Sequence, residues 1–567
     1  TSDSTAHASE FSRIRLRNLF TVSISEKCRF SQQFPRKMER RGSREPNVAE
    51  VVRLLTARPM LPNSHEFGYE ISSRRWAKLL GVSVKYSDKY KRVGRKRSSS
   101  RHQRSSSDSS ADLISFDDIR CGRTLAWFVL QQFDEHGRFI NDVLNEAVPR
   151  FGLSTRDRAA ALEIASGVLR RRRTLDTLIE AFLSRSRIQV EPDLWRLLQI
   201  GAFQVALMTT PQHAAVDSTV ELTRRVGRDR WSGFVNGVVR NIARSLSDEQ
   251  CDEPSPAALP TERGQFRRLK QPIFANPADQ LSEYIGQAFS LPPFLADRWS
   301  QRWPLPELLD VCFHSIDIPD IVLRVNRLVK TRDEMLSILQ QANVVATPGD
   351  NPWAIHLAHG TRVHDLPGFT EGWWSVQDES AMAVAELVAP QPDEHLLDLC
   401  AAPGGKSTHL AELAGDQLSI TACDVAEHRL DRIRENAQRL NLNSIHLQLI
   451  SRDGDDPAGR KFDAVLVDVP CSNSGVLARR PEARWRISEA EISDLVQLQT
   501  RLLLTALDRT RPGGRIVYST CSIEPEETTE LIANVVSAVP DMQLVEQHLR
   551  RPGHGGDGAF QALIRVR

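Results

Sequence analysis

The sequence predicts a multidomain protein that combines an all-α domain, a small α+β module and a C-terminal α/β domain built on a parallel sheet. A chain of 567 residues exceeds the size of one compact domain. Apolar residues recur at helical spacing over residues 119–246. Over residues 373–567, short apolar runs alternate with helical patterns, which is typical of parallel strands joined by crossover helices.

Residues 1–118 form a basic extension that is predicted to be largely disordered. Residues 1–110 hold 24 Lys and Arg against 10 Asp and Glu, while the whole chain carries a net charge of +2. A segment this rich in Arg and Ser buries little apolar surface. It is compatible with a solvated tail that assists RNA binding, with a transit peptide or with a wrongly assigned start site. The rest of the chain is net acidic, so a polyanion site there requires a local basic patch.

The predicted helical domain, residues 119–246, contains three segments with a helical period. Ser154 is the predicted N-cap of the first, and the other two cover residues 194–205 and 234–240. Arginines cluster on the polar faces of these helices, which is compatible with a solvated surface or with contacts to an RNA backbone. These arginines are Arg170, Arg171, Arg172, Arg173, Arg224, Arg225, Arg228, Arg230, Arg240 and Arg244.

The region between the two larger domains is predicted to hold a linker and a small module. Residues 247–275 are rich in Pro, Glu, Asp and Gln and lack periodicity, which predicts a linker. Residues 276–372 are predicted to form the α+β module. It contains a strand at residues 321–325, and Thr331 and Glu334 form a capping box that begins a helix.

The C-terminal domain contains five candidate strands, each of them a short apolar run. Helices are predicted at residues 407–413, after the first strand, and 426–440, after the second. The carboxyl ends of parallel strands line the ligand crevice of such a sheet, so the residues that follow each strand are candidate site residues. The five strands are predicted at residues 395–399, 419–423, 445–449, 462–468 and 515–518.

A glycine-rich turn after the first strand is the candidate cofactor site. It lacks the GxGxxG and GxxxxGK[ST] patterns that bind phosphates, so a nucleoside without phosphates suits it better. Asp424 ends the next strand, about 20 residues beyond the glycines, where an acid typically accepts ribose hydroxyls. Asp453 follows the third strand and is a candidate acceptor for an adenine amino group. The turn consists of Cys400, Ala401, Ala402, Pro403, Gly404, Gly405 and Lys406.

Two cysteines follow the last two predicted strands: Cys471, just after Asp468, and Cys521. Buried cysteines are common in protein cores, but two thiols in one crevice indicate covalent chemistry, because a thiolate is a strong nucleophile. With a nucleoside cofactor and an acid, they fit methylation of C5 in a pyrimidine. That reaction needs a nucleophile on C6, stabilisation at N3 and a base for the C5 proton. The chemistry alone does not say which thiol attacks.

The cysteine content and the hydropathy of the chain argue against a metal-binding, disulfide-bonded or membrane-spanning protein. The eight cysteines are scattered and include no CxxC pair, so neither a metal site nor a disulfide framework is expected. No apolar run approaches the ~20 residues needed to span a bilayer. We therefore expect a cytoplasmic protein without a membrane span.

Three motifs resemble those of the S-adenosylmethionine-dependent RNA cytosine-5 methyltransferases. Within that group, residues 119–567 most resemble the bacterial RsmB (Sun/Fmu) type, which methylates 16S ribosomal RNA and carries a NusB-like RNA-binding domain. The resemblance implies a Rossmann-like class I methyltransferase domain, S-adenosyl-L-methionine as cofactor and small-subunit ribosomal RNA as partner. It leaves the oligomeric state open. The motifs are Asp398–Lys406, Asp468-Val469-Pro470-Cys471 and Ser519-Thr520-Cys521-Ser522.

The resemblance also implies roles for individual residues. Cys521 would be the nucleophile on C6, Cys471 would assist C5 deprotonation or release, and Asp468 would contact N3 of the base. The glycine turn, Asp424, Asp453 and Asp468 would contact the cofactor.

A basic cluster just past Cys471 is the predicted RNA contact. Arginines beside an aromatic residue hold phosphates and stack bases, and this cluster adjoins the proposed active site. The alternative is a surface helix with ion pairs to Glu482 and Glu489. The cluster consists of Arg479, Arg480, Arg484 and Trp485.

Two other functions remain open at the level of the sequence. One is the same chemistry on transfer RNA, which the NusB-like helices disfavour. The other is a non-catalytic RNA-binding or antitermination factor, which the two cysteines and the glycine turn disfavour.

Overall fold

The structure, a computed structural model, describes residues 119–567 except 359–360, 362, 451–459 and 554–555. The predictions for residues 1–118 therefore lie outside the described residues. None of the helices in the described part is both long and apolar enough to cross a membrane.

Seven consecutive α-helices form the first domain of the described chain. The predicted cap of α3 is present, since Ser154 Oγ accepts a hydrogen bond from Asp157 N at 3.1 Å. The apolar faces of the helices pack into one core. Gly167 lets α3 approach α5 closely, because a Cβ there would lie 2.0 Å from the ring of Phe203. The helices are α1 (Gly122–His136), α2 (Ile140–Arg150), α3 (Thr155–Arg170), α4 (Arg172–Glu180), α5 (Pro192–Leu207), α6 (Gln212–Arg225) and α7 (Ser232–Ser245).

Residues 247–275 are not the linker that their composition predicts. They form most of a small antiparallel sheet in the order β1-β3-β2, and Phe266 and Phe274 are buried in a core shared with the following helices. Strands of three to six residues are too short to show a clear alternation, so their pairing depends on contacts that the sequence does not display. The strands are β1 (Leu246–Cys251), β2 (Ala258–Pro260) and β3 (Phe266–Leu269).

The connecting module contains a four-stranded antiparallel sheet in the order β5-β6-β4-β7. The predicted strand at residues 321–325 is β4. The predicted capping box is also present, since Thr331 Oγ1 accepts from Glu334 N at 3.3 Å. Strand β7 lies beyond residue 372 and still pairs with β4. The elements are α8 (Leu281–Ala288), α9 (Pro293–Arg302), α10 (Leu305–Ile316), β4 (Ile321–Val325), α11 (Arg332–Gln341), β5 (Ala346–Pro348), β6 (Ala354–Leu357) and β7 (Trp374–Val376).

The last domain is built on a seven-stranded mixed sheet in the order β10-β9-β8-β11-β12-β14-β13. The five predicted strands are β8 to β12, and they are parallel. The sequence does not predict β13 and β14, and β14 pairs antiparallel with both of its neighbours. Strand β13 is largely exposed and therefore lacks an apolar signal. The elements are α12 (Glu379–Val388), β8 (His395–Asp398), α13 (Gly405–Leu413), β9 (Ser419–Asp424), α14 (Glu427–Arg439), β10 (Ile445–Leu449), β11 (Phe462–Asp468), α15 (Glu489–Arg509), β12 (Thr510–Thr520), α16 (Thr529–Ala538), β13 (Met542–Arg550) and β14 (Ala559–Val566).

The parallel register places the ends of the central strands at one edge of the sheet. Asp398 of β8 pairs with Leu466 of β11, and Asp468 of β11 pairs with Ser519 of β12. The residues that follow these strands therefore meet in one crevice, as expected for an open α/β sheet.

Candidate active site

The glycine-rich turn connects β8 to α13 at the carboxyl edge of the sheet. Gly404 has a φ of 99°, and an added Cβ would lie 3.1 Å from Ile433, so this position requires glycine. Asp398, at the end of β8, is buried and accepts a hydrogen bond from Ser407 Oγ at 2.6 Å. Burial raises the pKa of Asp398 to about 7.

Asp424 ends β9 beside the glycine turn and is fully buried. Its Oδ1 accepts hydrogen bonds from Ala426 N at 3.3 Å and Arg429 Nη1 at 3.2 Å. Its Oδ2 has no partner among the described residues. A buried carboxylate oxygen without a donor is costly, and this one fits the hydroxyl donors of a ribose. Asp453, the other predicted acceptor, lies outside the described residues.

Asp468 links the glycine turn to β11 and β12. It accepts hydrogen bonds from Lys406 Nζ at 2.7 Å and from Ser519 Oγ at 3.0 Å. Burial disfavours the charge on Lys406, but the attraction of Asp468 outweighs burial and raises the pKa of Lys406. The Asp468 side chain remains 32% exposed, so its carboxylate is accessible from the crevice.

Cys471 and Cys521 are in contact, with their Sγ atoms 3.1 Å apart. The hydrogen bond between the thiols raises the pKa of Cys521 well above its usual range and lowers the pKa of Cys471, because one thiol donates to the thiolate of the other. The Sγ of Cys521 also lies 3.4 Å from Asn473 Oδ1, a second acceptor.

Glu527 lies behind both thiols and is not among the residues that the sequence predicts. It is fully buried and accepts hydrogen bonds from the backbone and hydroxyl of Ser472, from the hydroxyl of Ser522 and from Gln499 Nε2. The two serines directly follow the two cysteines. In the sequence, Glu527 is one of several acidic residues in a short turn, and no spacing distinguishes it from its neighbours.

The four residues predicted to contact RNA have different environments. Arg484 is fully buried, which excludes a contact with an RNA phosphate and corrects that expectation. Trp485 Nε1 donates to Leu169 O at 2.9 Å, and its ring packs against the helical core. Arg479 forms ion pairs with two aspartates of the last domain. Arg480 is exposed, and its Nη1 lies 3.1 Å from Asn473 Oδ1.

Arg484 joins three parts of the protein at a buried junction. It donates to carbonyl oxygens of the helical domain, the connecting module and its own loop, at distances of 2.5 to 3.3 Å. Arg170 of α3 donates back to Ala478 O at 2.9 Å. Burial lowers the pKa of Arg484 to about 9 and that of Arg170 to about 10. The loop after Cys471 is therefore part of the domain junction. The four acceptors are Arg170 O, Ser290 O, Ser315 O and Leu477 O.

Arg324 of β4 makes a comparable connection from the module to the glycine turn. It is buried and donates to Gly405 O at 2.8 Å and to Thr408 Oγ1 at 3.1 Å. It also donates to both carboxylate oxygens of Glu412, at 2.7 and 3.1 Å. The start of α13 is thereby held from outside its own domain.

Comparisons with known proteins identify the family. Residues 385–562 match the family described as 16S rRNA methyltransferase RsmB/F, residues 121–244 match the NusB family, and residues 291–364 match the ferredoxin-like domain of RsmF/B-like methyltransferases. The ribosomal RNA small subunit methyltransferase B of Klebsiella pneumoniae is 33% identical over 458 residues, which cover 78% of this chain and 97% of that protein. The chain belongs to the ribosomal RNA small subunit methyltransferase B family.

The probable ribosomal RNA small subunit methyltransferase B of Synechocystis sp. is 36% identical over 410 residues. The matched residues cover 71% of this chain and 86% of that protein. The crystal structure of PH0851 covers 80% of this chain and 99% of its own, with a TM-score of 0.61 and 22% identity, so the two share a fold. These comparisons confirm the predicted resemblance to the RsmB family. They also confirm the predicted fold class of a NusB-like helical domain and a Rossmann-like methyltransferase domain.

Proposed function

We propose that this member of the RsmB family transfers a methyl group from S-adenosyl-L-methionine to C5 of a cytosine in 16S ribosomal RNA. The contact between the Cys471 and Cys521 thiols, 3.1 Å apart beside the Lys406–Asp468 pair, carries the proposal. A pyrimidine C5 reacts only after a nucleophile adds to C6, and this crevice offers both a nucleophile and a base. The names of the relatives support small-subunit ribosomal RNA as the target.

The cofactor is proposed to lie against the glycine turn, from Cys400 to Lys406. Asp424 would accept hydrogen bonds from its ribose, and the unpaired buried Oδ2 supports this placement. Asp453 and Asp468 are proposed as further contacts. When bound, the cofactor supplies the methyl group as a sulfonium.

The remaining steps use side chains of this chain. Cys521 forms a bond from Sγ to C6, and its proton passes to N3, the atom that Asp468 is proposed to contact. Once C5 carries the methyl group, the Cys471 thiolate takes the C5 proton. The bond from C6 to sulfur then breaks, the C5–C6 double bond re-forms, and the N3 proton returns to Cys521.

Among the residues of the predicted RNA cluster, Arg480 is the best placed to contact the substrate. It is exposed beside Asn473, on the same side as the thiols. We assign it a phosphate contact near the target nucleotide. The ion pairs of Arg479 make it a weaker candidate.

The test combines the full chain with the cofactor and 16S RNA, for the wild type, Cys521→Ala and Cys471→Ala. Methyl transfer and covalent RNA adducts on a denaturing gel are measured. We expect Cys471→Ala to accumulate adducts, because release lacks its base, and Cys521→Ala to form none. Adducts that depend on Cys471 would reverse the two roles. Methylation of transfer RNA alone would mean that transfer RNA, not 16S RNA, is the substrate. If no RNA is methylated, the protein is better explained as a non-catalytic RNA-binding factor.

A further inference from the structure

We propose that Glu527 is a positioning residue that holds both cysteine loops in place for attack and release, an inference that rests on the proposed function. Its carboxylate is fully buried and is therefore not exposed in the crevice. Its partners are instead the residues that directly follow the two thiols.

One carboxylate oxygen of Glu527 bridges the two loops. Its Oε2 accepts hydrogen bonds at 2.5 Å from Ser472 Oγ and at 2.5 Å from Ser522 Oγ. Ser472 follows Cys471, and Ser522 follows Cys521. This one acceptor atom therefore connects the two loops, in addition to the hydrogen bonds that the loops make with each other.

The other carboxylate oxygen fixes the Cys471 loop to the long helix α15. Its Oε1 accepts from Ser472 N at 2.9 Å and from Gln499 Nε2 at 2.9 Å. The same Gln499 amide donates to Pro470 O at 2.9 Å, so both peptide groups around Cys471 are held. On the other side, Tyr518 of β12 donates to the main-chain oxygen of Glu527 at 2.8 Å.

Four groups lie within hydrogen-bond distance of the two carboxylate oxygens of Glu527. Burial raises the pKa of Glu527, and these hydrogen bonds oppose the rise. Ser472 N and Gln499 Nε2 can only donate, so an amide in this place must keep its oxygen toward them. Its nitrogen would then face the two serine hydroxyls, which would have to accept instead of donate. This arrangement explains the serine after each cysteine, which the proposed chemistry does not use. A misplacement of reacting groups by about 1 Å costs on the order of 100-fold in rate.

The experiment compares the full-length wild type with Glu527→Gln, Ser472→Ala and Ser522→Ala. Single-turnover assays with 16S RNA measure adduct formation and adduct release separately, and calorimetry measures cofactor affinity. We expect Glu527→Gln to lower kcat about 100-fold, with the KM for RNA and the Kd for the cofactor unchanged. Ser522→Ala should slow formation and Ser472→Ala should slow release, each about 10-fold, because each removes one hydrogen bond to the Glu527 carboxyl group.

Glu524→Gln is the matched control, because Glu524 is fully buried on the same turn but pairs with Arg298 and Trp299. Glu524→Gln should leave the ratio of the rate of adduct formation to the rate of adduct release at the wild-type value. A folded Glu527→Gln with wild-type kcat, or serine variants that change neither step, would overturn the inference. If Glu527→Gln does not fold, the serine variants decide, since each removes a single hydroxyl. A wild type without adducts or methyl transfer would instead overturn the proposed function.

Discussion

Four carboxylates near the crevice differ in their burial and in their hydrogen-bond partners. Asp468 is ion-paired and partly exposed, whereas Asp424 is buried with one oxygen unpaired. Glu527 is buried with four donors, and Asp398 is buried with one side-chain donor. Residue type and position at a strand end identify two of the four, Asp424 and Asp468, from the sequence. Burial and partners, which set the pKa, come only from the fold.

The raised pKa of Asp398 makes stability depend on pH. The folded protein keeps the Asp398 proton up to about pH 7, whereas an unfolded aspartate loses it near pH 3.9. The wild type should therefore lose stability relative to Asp398→Asn as the pH rises from about 4 to about 7, by roughly 1.4 kcal/mol per pH unit. Above pH 7 the difference should be constant. Urea unfolding without cofactor measures it, and a constant difference from pH 4 to 7 would contradict the buried acid.

Among the elements, the parallel strands and their helices are predicted best from the sequence. The strands at residues 445–449 and 462–468 have the predicted bounds. The first alternates apolar and polar residues, and the second is a mostly apolar run that ends at Asp468. The short sheet of β1 to β3 and the exposed β13 lack such a signal. The contact of Arg324 with the glycine turn is also absent from any local pattern, since about 80 residues separate the partners.

Arg324→Met should weaken cofactor binding by about 10-fold, because Gly405 O and the start of α13 lose their donor. The same change should cost about 3–5 kcal/mol of stability, since it leaves Glu412 buried and unpaired. Calorimetric titration with the cofactor and urea unfolding measure the two effects.

The double variant Arg324→Met/Glu412→Gln separates them. It removes the unpaired charge and should recover most of the stability, while cofactor binding stays weak. Full recovery of cofactor affinity in the double variant would mean that Arg324 acts on stability alone.

For the whole molecule, the junction around Arg484 connects the helical domain to the loop after Cys471. Three buried arginines, Arg170, Arg171 and Arg484, donate to main-chain carbonyls of other domains. Such contacts are lost together when either domain unfolds. The NusB-like domain is therefore expected to stabilise the catalytic loop as well as to bind RNA.

Arg484→Met should break the coupling between the helical and methyltransferase domains. Four buried carbonyls lose their donor, which should cost at least about 3 kcal/mol. We expect one cooperative transition for the two domains of the wild type in differential scanning calorimetry, and two transitions for the variant.

Arg480→Met is the matched control on the same loop, because Arg480 is exposed. It should unfold like the wild type but bind 16S RNA more weakly. In a plot of the logarithm of the binding constant against the logarithm of the salt concentration, the magnitude of the slope should fall by roughly 0.7 to 1, because one phosphate contact is lost. A single transition for Arg484→Met, or unchanged RNA binding by Arg480→Met, would contradict these assignments.

The sequence by itself determined the family, the order of the domains and the residues at the ends of the central strands. These features are local: apolar period, glycine turns, capping boxes and residue types that follow a strand. The tertiary structure alone decided which residues meet and which are buried. It brought together two thiols 50 residues apart, placed Glu527 behind them and buried Arg484 in a domain junction. Charge and exposure depend on distant neighbours, so the same arginine-rich segment contains one exposed and one fully buried guanidinium.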